Sequence, residues 1–304
     1  AVNLIAEISA LVERYAIRLE RSDGLRLRKA SRIKTIHSSL ALEGNRLSEH
    51  EVRDVLQGKT VVAPLREIQE VRNAIKTYEL YSSLDAFSLS DLLKAHGVMM
   101  SALADDAGSF RRGGVGVFAG TSLVHMAPPA DRVPGLMNDL FEWLRQAEDH
   151  LLIRSCVFHY EFEFIHPFSD GNGRMGRLWQ SLLLGKLHPA FEHLPVENMV
   201  YANQQAYYEA ISASSARADC APFVEFMLRE ILNTLQHHRN PHEDVGINDG
   251  INVGINLTPA QQRLVELIKR QPRLSVREMA ERLELSQRQA ERVVASLREK
   301  NVIR

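Results

Sequence analysis

The sequence predicts a mainly α-helical protein that carries one short β-hairpin and ends in a small helix-turn-helix domain. Three observations lead there. Residues 1 to about 110 repeat apolar side chains at helical spacing with few breakers, a texture that returns after residue 130. Between Gly108 and Pro129 the chain changes to GSFRRGGVGVFAGTSLVHMAPP, two β-prone runs around a small turn. Beyond the Pro- and Gly-bearing stretch RNPHEDVGINDGINVGINL lie three short helical segments, two of which open on capping boxes.

Taken in order, LIAEISALVERYAIRL, SRIKTIHSSLALE, REIQEVRNAIKTYELYSSL and LSDLLKAHGVMMSAL are the early helices. VGVF and SLVHM make the hairpin. Helices then resume in DRVPGLMNDLFEWLRQA, LLIRSCVFHYEFEFI, RMGRLWQSLLLGKL, YYEAISASSARA and PFVEFMLREILNTLQHH. The expected division is an N-terminal helical region at 1–84, a core at 85–238, a linker at 239–257 and the helix-turn-helix domain at 258–304. In that last domain Ser275 with Glu278 and Ser286 with Gln289 are the capping boxes, and SQRQAERVVASLREK is the recognition helix. Its inward pattern is Ala290, Val293, Val294 and Leu297, which turns Gln287, Arg288, Gln289 and Arg292 outward.

Composition narrows the classes. A chain of 304 residues that is 45% hydrophobic and 25% charged buries a real core. It has no apolar run long enough to span a membrane, and its first twenty residues carry acids, unlike a secretory leader, so a cytoplasmic protein with no membrane partner is expected. Cys156 and Cys220 have no CxxC or Cys/His spacing, which indicates neither a disulfide framework nor a zinc site. The net charge of -1 hides an asymmetry: residues 258–304 hold 11 Lys and Arg against 6 Asp and Glu, leaving the rest acidic.

Chemistry concentrates in His166-Pro167-Phe168-Ser169-Asp170-Gly171-Asn172-Gly173-Arg174-Met175-Gly176-Arg177. Pro167 disfavours helical geometry just before it and cannot extend the hydrogen-bond ladder, so His166 stands on a loop edge. Gly171-Asn172-Gly173 turns tightly into the next helix, whose first N–H groups and positive dipole end form an anion cradle. Arg174 and Arg177 share a face of its first turns, where cations oppose the dipole unless a multiply charged anion offsets them. Asp170 would repel phosphates unless a cation lay between, and a carboxylate with phosphate oxygens is a common seat for Mg²⁺. Base, metal ligand, phosphate loop and arginines together point to attack of a hydroxyl on phosphorus, with His166 taking the proton.

The twelve residues match the signature of the Fic family, HPFx(D/E)GNGRxxR, at every specified position, and the chain resembles that family over roughly residues 30–235. Gly108-Ser109-Phe110-Arg111 and MAPPADRVPGLMNDL are similar to its segments on either side of the hairpin. The resemblance implies a Fic helical bundle with a β-hairpin flap at 115–127, and a protein adenylyltransferase that moves AMP from ATP to a Ser, Thr or Tyr hydroxyl. It implies His166 as general base, Asp170 on Mg²⁺, and Asn172 with the amides of Gly171 and Gly173 on the α- and β-phosphates. Arg174 would bind the β-phosphate and Arg177 the γ-phosphate. The full DGNGRxxR form resembles the AMP-transferring branch and not the Doc kinases. Asn203, Tyr207 and Tyr208, in NQQAYYEA, resemble the segment that lines the nucleobase pocket.

Ser39-Leu40-Ala41-Leu42-Glu43-Gly44 resembles the family's inhibitory motif (S/T)xxxE(G/N), carried by a helix at about 31–44. Gly44 is a natural helix stop, and Glu43 on the last turn faces the negative dipole end, which a cationic partner elsewhere would offset. The resemblance makes Arg177 that partner, with Ser39 hydrogen-bonding nearby. The flap implies a target protein bound as an extended segment by strand addition. The C-terminal domain resembles a winged helix-turn-helix, and its net positive charge suits DNA, with docking of a protein as the alternative. A nucleotide-sensing DNA-binding regulator, another nucleotide donor, removal of AMP and homo-oligomers stay open at this point.

Overall fold

The computed structural model describes residues 2–21, 24–119, 122–194 and 196–237 of the 304, and, further on, 261, 264, 267, 279–280, 282–283 and 286–299; side chains of 18–30 and 117–125 lie outside that description. The chain divides into two compact units, Ala1–Gln236 and His237–Arg304.

In the first unit the helices are α1 (Val2–Arg21), α2 (Gly24–Leu42), α3 (Glu49–Leu56), α4 (Leu65–Glu79) and α5 (Leu89–Met99). The strands β1 (Gly116–Ala119) and β2 (Ser122–Met126) follow, then α6 (Val133–Gln146), α7 (Leu151–Ile165), α8 (Asn172–Leu187), α9 (Val196–Ala202), α10 (Gln204–Arg217) and α11 (Ala221–His237). The fold is helical, as the apolar spacing predicts. α2 starts at Gly24, earlier than the serine at 31 from which the inhibitory helix was expected, because nothing between the two breaks a helix. β1 and β2 pair antiparallel, Gly116 opposite Met126, with a bulge between Val117 and Phe118 that adds local twist.

α8 is the axis of this unit. Twelve of its residues, including Arg174, Trp179 and Gln180, are buried, the pattern of a helix covered on every side. Two apolar cores meet across α7 and α8. One takes Phe158, Phe162, Met175, Leu178 and Trp179 with α2 to α6. The other takes Cys156, Tyr160 and Leu184 with α1 and α9 to α11. Trp179 donates to the Ala86 carbonyl at 2.9 Å and Tyr81 to that of Ser181 at 2.7 Å, so buried polar atoms are met where the cores close.

In the second unit α12 (Gln287–Glu299) is capped by Ser286, whose Oγ accepts from the Gln289 amide while Gln289 Oε1 accepts from the Ser286 amide. Ala290, Val294 and Leu297 are buried, and Gln287, Gln289 and Arg292 are exposed, in agreement with the predicted inward pattern. The expected capping box of Ser275 and Glu278, and the side chain of Arg288, lie outside the described residues.

Candidate active site

α7 and α8 are joined by residues 166–171, and their packing brings the motif to one end of the pair. His166 is the C-cap of α7, in the left-handed region at φ 49° and ψ 61°. Such backbone costs a non-glycine residue about 1 kcal/mol or more and needs a surround that enforces it. Arg111 supplies one. Only 3% exposed, it donates from Nε to the His166 carbonyl at 2.7 Å and from its terminal nitrogens to the carbonyls of Gly113, Pro128 and Ile165. One guanidinium thus ties the end of α7 to both roots of the hairpin. The His166 ring is set by its Nδ1, 3.3 Å from the Glu163 carbonyl. A carbonyl only accepts, so Nδ1 carries the proton and Nε2 is the basic nitrogen.

The next turn is fixed from below. His96 stacks on Phe168 with ring centres 3.6 Å apart. Its Nδ1 accepts from the Gly108 amide at 2.9 Å, so Nε2 donates to the Asp170 carbonyl at 3.0 Å. Burial lowers the His96 pKa and favours this neutral form. Asn172, 2% exposed, departs from the predicted phosphate contact: its Oδ1 accepts from the Phe168 amide and its Nδ2 donates to the Phe168 carbonyl, so the side chain shapes the loop. Gly171, at φ +86°, is the N-cap of α8, and a side chain there would also press on Met100.

Around the first turn of α8 the charges are uneven. Asp170 accepts from Arg174 Nη2 at 3.1 Å and from Arg66 Nη2 at 3.3 Å. Arg174 Nε and Nη1 and Arg177 Nε are buried without hydrogen-bond partners, a costly state that anionic oxygens would relieve. Asp170 is the one carboxylate of the motif, and among the described residues no group of three metal-ligating side chains occurs. A single carboxylate fits a Mg²⁺ that takes its other ligands from phosphate and water, not a cation caged by protein alone.

Glu43 reaches this place from the end of α2. Its Oε1 is 2.8 Å from Arg177 Nη2, and a Cβ built on Gly173 would lie 2.6 Å from that same oxygen. The carboxylate therefore lies against the first turn of α8. α2 ends with the Asn45 amide on the Leu40 carbonyl and the Gly44 amide on that of Ala41, around Gly44 at φ +88°. Asn45 then donates to the Glu67 carbonyl and to Glu70, which moors the turn on α4. Burial, the largest single influence, works against the charge of Arg177, but Glu43, with Tyr207 and Glu163 behind it, outweighs burial and keeps the guanidinium charged.

Of two further predicted contacts, one is made by the backbone and one differs. Ser39 Oγ is buried without a partner, and the Ser39 carbonyl, not the hydroxyl, accepts from Arg177 Nη2 at 3.1 Å. Tyr207 is 3% exposed and its hydroxyl donates to His159 Nε2, so it belongs to the core and not to a nucleobase wall. Tyr208 is half-buried and Asn203 exposed, its amide on Glu230. Arg111, His96 and Asn45 take roles here that no sequence motif announces. Arg111 is buried and its neighbour Arg112 exposed, a distinction that no local pattern in GSFRR carries.

This is a helical protein whose candidate site sets a histidine and two buried arginines around the N-terminus of α8. Residues 86–184 match the Fic/DOC family, and residues 257–304 match the winged helix-turn-helix DNA-binding family. A Fic family protein of known crystal structure from Desulfovibrio desulfuricans G20 is 44% identical, with a TM-score of 0.74, over 94% of this chain and 84% of its own. The chain belongs to the Fic family. Fic-1 from C. elegans shares the fold, with a TM-score of 0.60 at 20% identity over 77% of this chain and 70% of that one. The protein adenylyltransferase Fic of Aedes aegypti is 28% identical over 66% of this chain and 40% of its own length. The chain thus spans less than half the length of the curated relatives it matches. No helix among the described residues is long and apolar enough to cross a membrane.

Proposed function

We propose that the chain is a protein adenylyltransferase that moves AMP from ATP onto a Ser, Thr or Tyr hydroxyl of a protein, and that Glu43 holds it off at rest. The observation that carries this reading is the Glu43 carboxylate on Arg177 over Gly173, an anion of the chain's own where the end of a triphosphate would bind. Three buried guanidinium nitrogens without partners, on Arg174 and Arg177, support it, as do relatives named protein adenylyltransferases.

In this reading the amides of Gly171 and Gly173 hold the α- and β-phosphates, Arg174 the β-phosphate, and Arg177 the γ-phosphate once Glu43 has left. Asp170 would hold Mg²⁺, which neutralises phosphate charge. The target hydroxyl attacks the α-phosphorus, His166 Nε2 takes its proton, and the bond to the β-phosphate oxygen breaks to release pyrophosphate. Asn203 and Tyr208 border the nucleobase. The target lies extended along the hairpin edge, and exposed Gln287, Gln289 and Arg292 of α12 meet DNA.

The test incubates the Glu43→Gly protein with each α-labelled nucleoside triphosphate and Mg²⁺, then follows label on protein. Label from ATP should exceed that of the wild type by about tenfold or more, and His166→Ala should abolish it. Label from a different nucleotide alone would replace the donor. No label from any donor, in a folded protein that still binds nucleotide, would leave a nucleotide-sensing regulator, the reading favoured by the C-terminal family match.

A further inference from the structure

Glu163 is a buried carboxylate that the chemistry above leaves unused. It stands on α7 one turn before His166, with Oε2 3.8 Å from His166 Nδ1 and Oε1 3.9 Å from His159 Nε2. Oε1 is buried and has no hydrogen-bond partner. α8 makes room for it at Gly176, where a Cβ would lie 2.7 Å from that oxygen, although the family signature leaves the position free. A buried, unsatisfied carboxylate costs stability, so its presence beside the base asks for a use.

The charged and titratable groups that face Glu163 are His159 and His166 on its own helix, Arg177 on α8, Glu43 after α2, and Tyr207 and Tyr208 on α10. Burial pushes its carboxyl up to about 7; Arg177 opposes the rise and Glu43 adds to it. Glu43 is bonded to Arg177, and Glu163 feels the same guanidinium through space.

We propose that Glu163 is a positioning residue for His166: beside the backbone carbonyl that fixes the tautomer, its carboxylate steadies the ring and stabilises the imidazolium formed on proton uptake, more strongly once Glu43 leaves Arg177. When Glu43 is gone, Arg177 favours ionised Glu163, and a charged carboxylate 3.8 Å away makes His166 more basic. The resting contact of Glu43 thus reaches the base through Arg177 and Glu163, besides covering the cradle.

The inference rests on His166 acting as the base, and its test is separate from turnover. The His166 ring is titrated by NMR in the full nucleotide-free chain, as wild type, Glu163→Gln, Glu163→Asp and Glu43→Gly. Glu163→Gln should lower the His166 pKa by about one unit, Glu163→Asp should retain part of it, and Glu43→Gly should raise it. In the Glu43→Gly background, Glu163→Gln should lower kcat about tenfold near neutral pH with the KM for ATP within twofold. Identical His166 titration in all four folded proteins overturns the proposal, even if Glu163→Gln slows transfer. A shifted titration in a chain that labels nothing would instead overturn the transferase reading.

Discussion

Around His159, two groups of opposite sign share one pH range. His159 is 0% exposed, donates from Nδ1 to Gln180 Oε1 and accepts at Nε2 from Tyr207. Burial lowers its pKa to about 4, so the fold is lost in stability as pH falls from 6.5 towards that value, where the unfolded chain binds the extra proton. Glu163, raised to about 7 by burial, works the other way: the fold holds the extra proton, so stability falls as pH rises from about 4.5 to 7. Chemical denaturation of the variants should separate them. Relative to wild type, Glu163→Gln should make stability fall more steeply on acidification, and His159→Gln should reverse the slope, each by up to about 3 kcal/mol across the window. Parallel curves for all three proteins would refute the assignment. Arg111 supports a different prediction. Arg111→Met strips a donor from four carbonyls and should cost about 3 kcal/mol, roughly 8 °C in Tm, read by calorimetry.

Among the elements, the end of α2 sets the state of the site. A side chain at Gly44 would meet nothing within 4 Å, but φ +88° is backbone that an L-residue adopts at a cost. Gly44→Ala should therefore lower stability by about 1 kcal/mol and, because the turn carries Glu43, raise labelling by a smaller factor than Glu43→Gly. Equal labelling of Gly44→Ala and wild type, with the stability loss present, would separate the turn from the brake. The same turn was readable as a helix stop from one glycine. Its mooring by Asn45 on Glu70 was not, since Asn45 lies in the loop after α2 and Glu70 on α4, and the two meet only after packing.

For the whole molecule, charge is divided along the chain, with the excess of Lys and Arg in residues 258–304. If that unit meets DNA, duplex binding by the full chain should weaken steeply with salt, and Arg292→Glu should weaken it further and flatten the salt slope by about one. A mobility shift absent at low salt would favour a protein partner for α12.

Helix spacing, the proline after His166 and the glycines before Arg174 are local, because each acts through backbone geometry within a few residues; the bundle, the hairpin and the loop edge were legible for that reason. Three-dimensional packing decided the rest. It put Glu43 on Arg177 across 134 positions of sequence, buried Arg111 but not Arg112, turned Asn172 inward and sent Tyr207 into the core. Those outcomes depend on which surfaces exclude water together, and burial is a property of the assembled fold that no short run of residues contains.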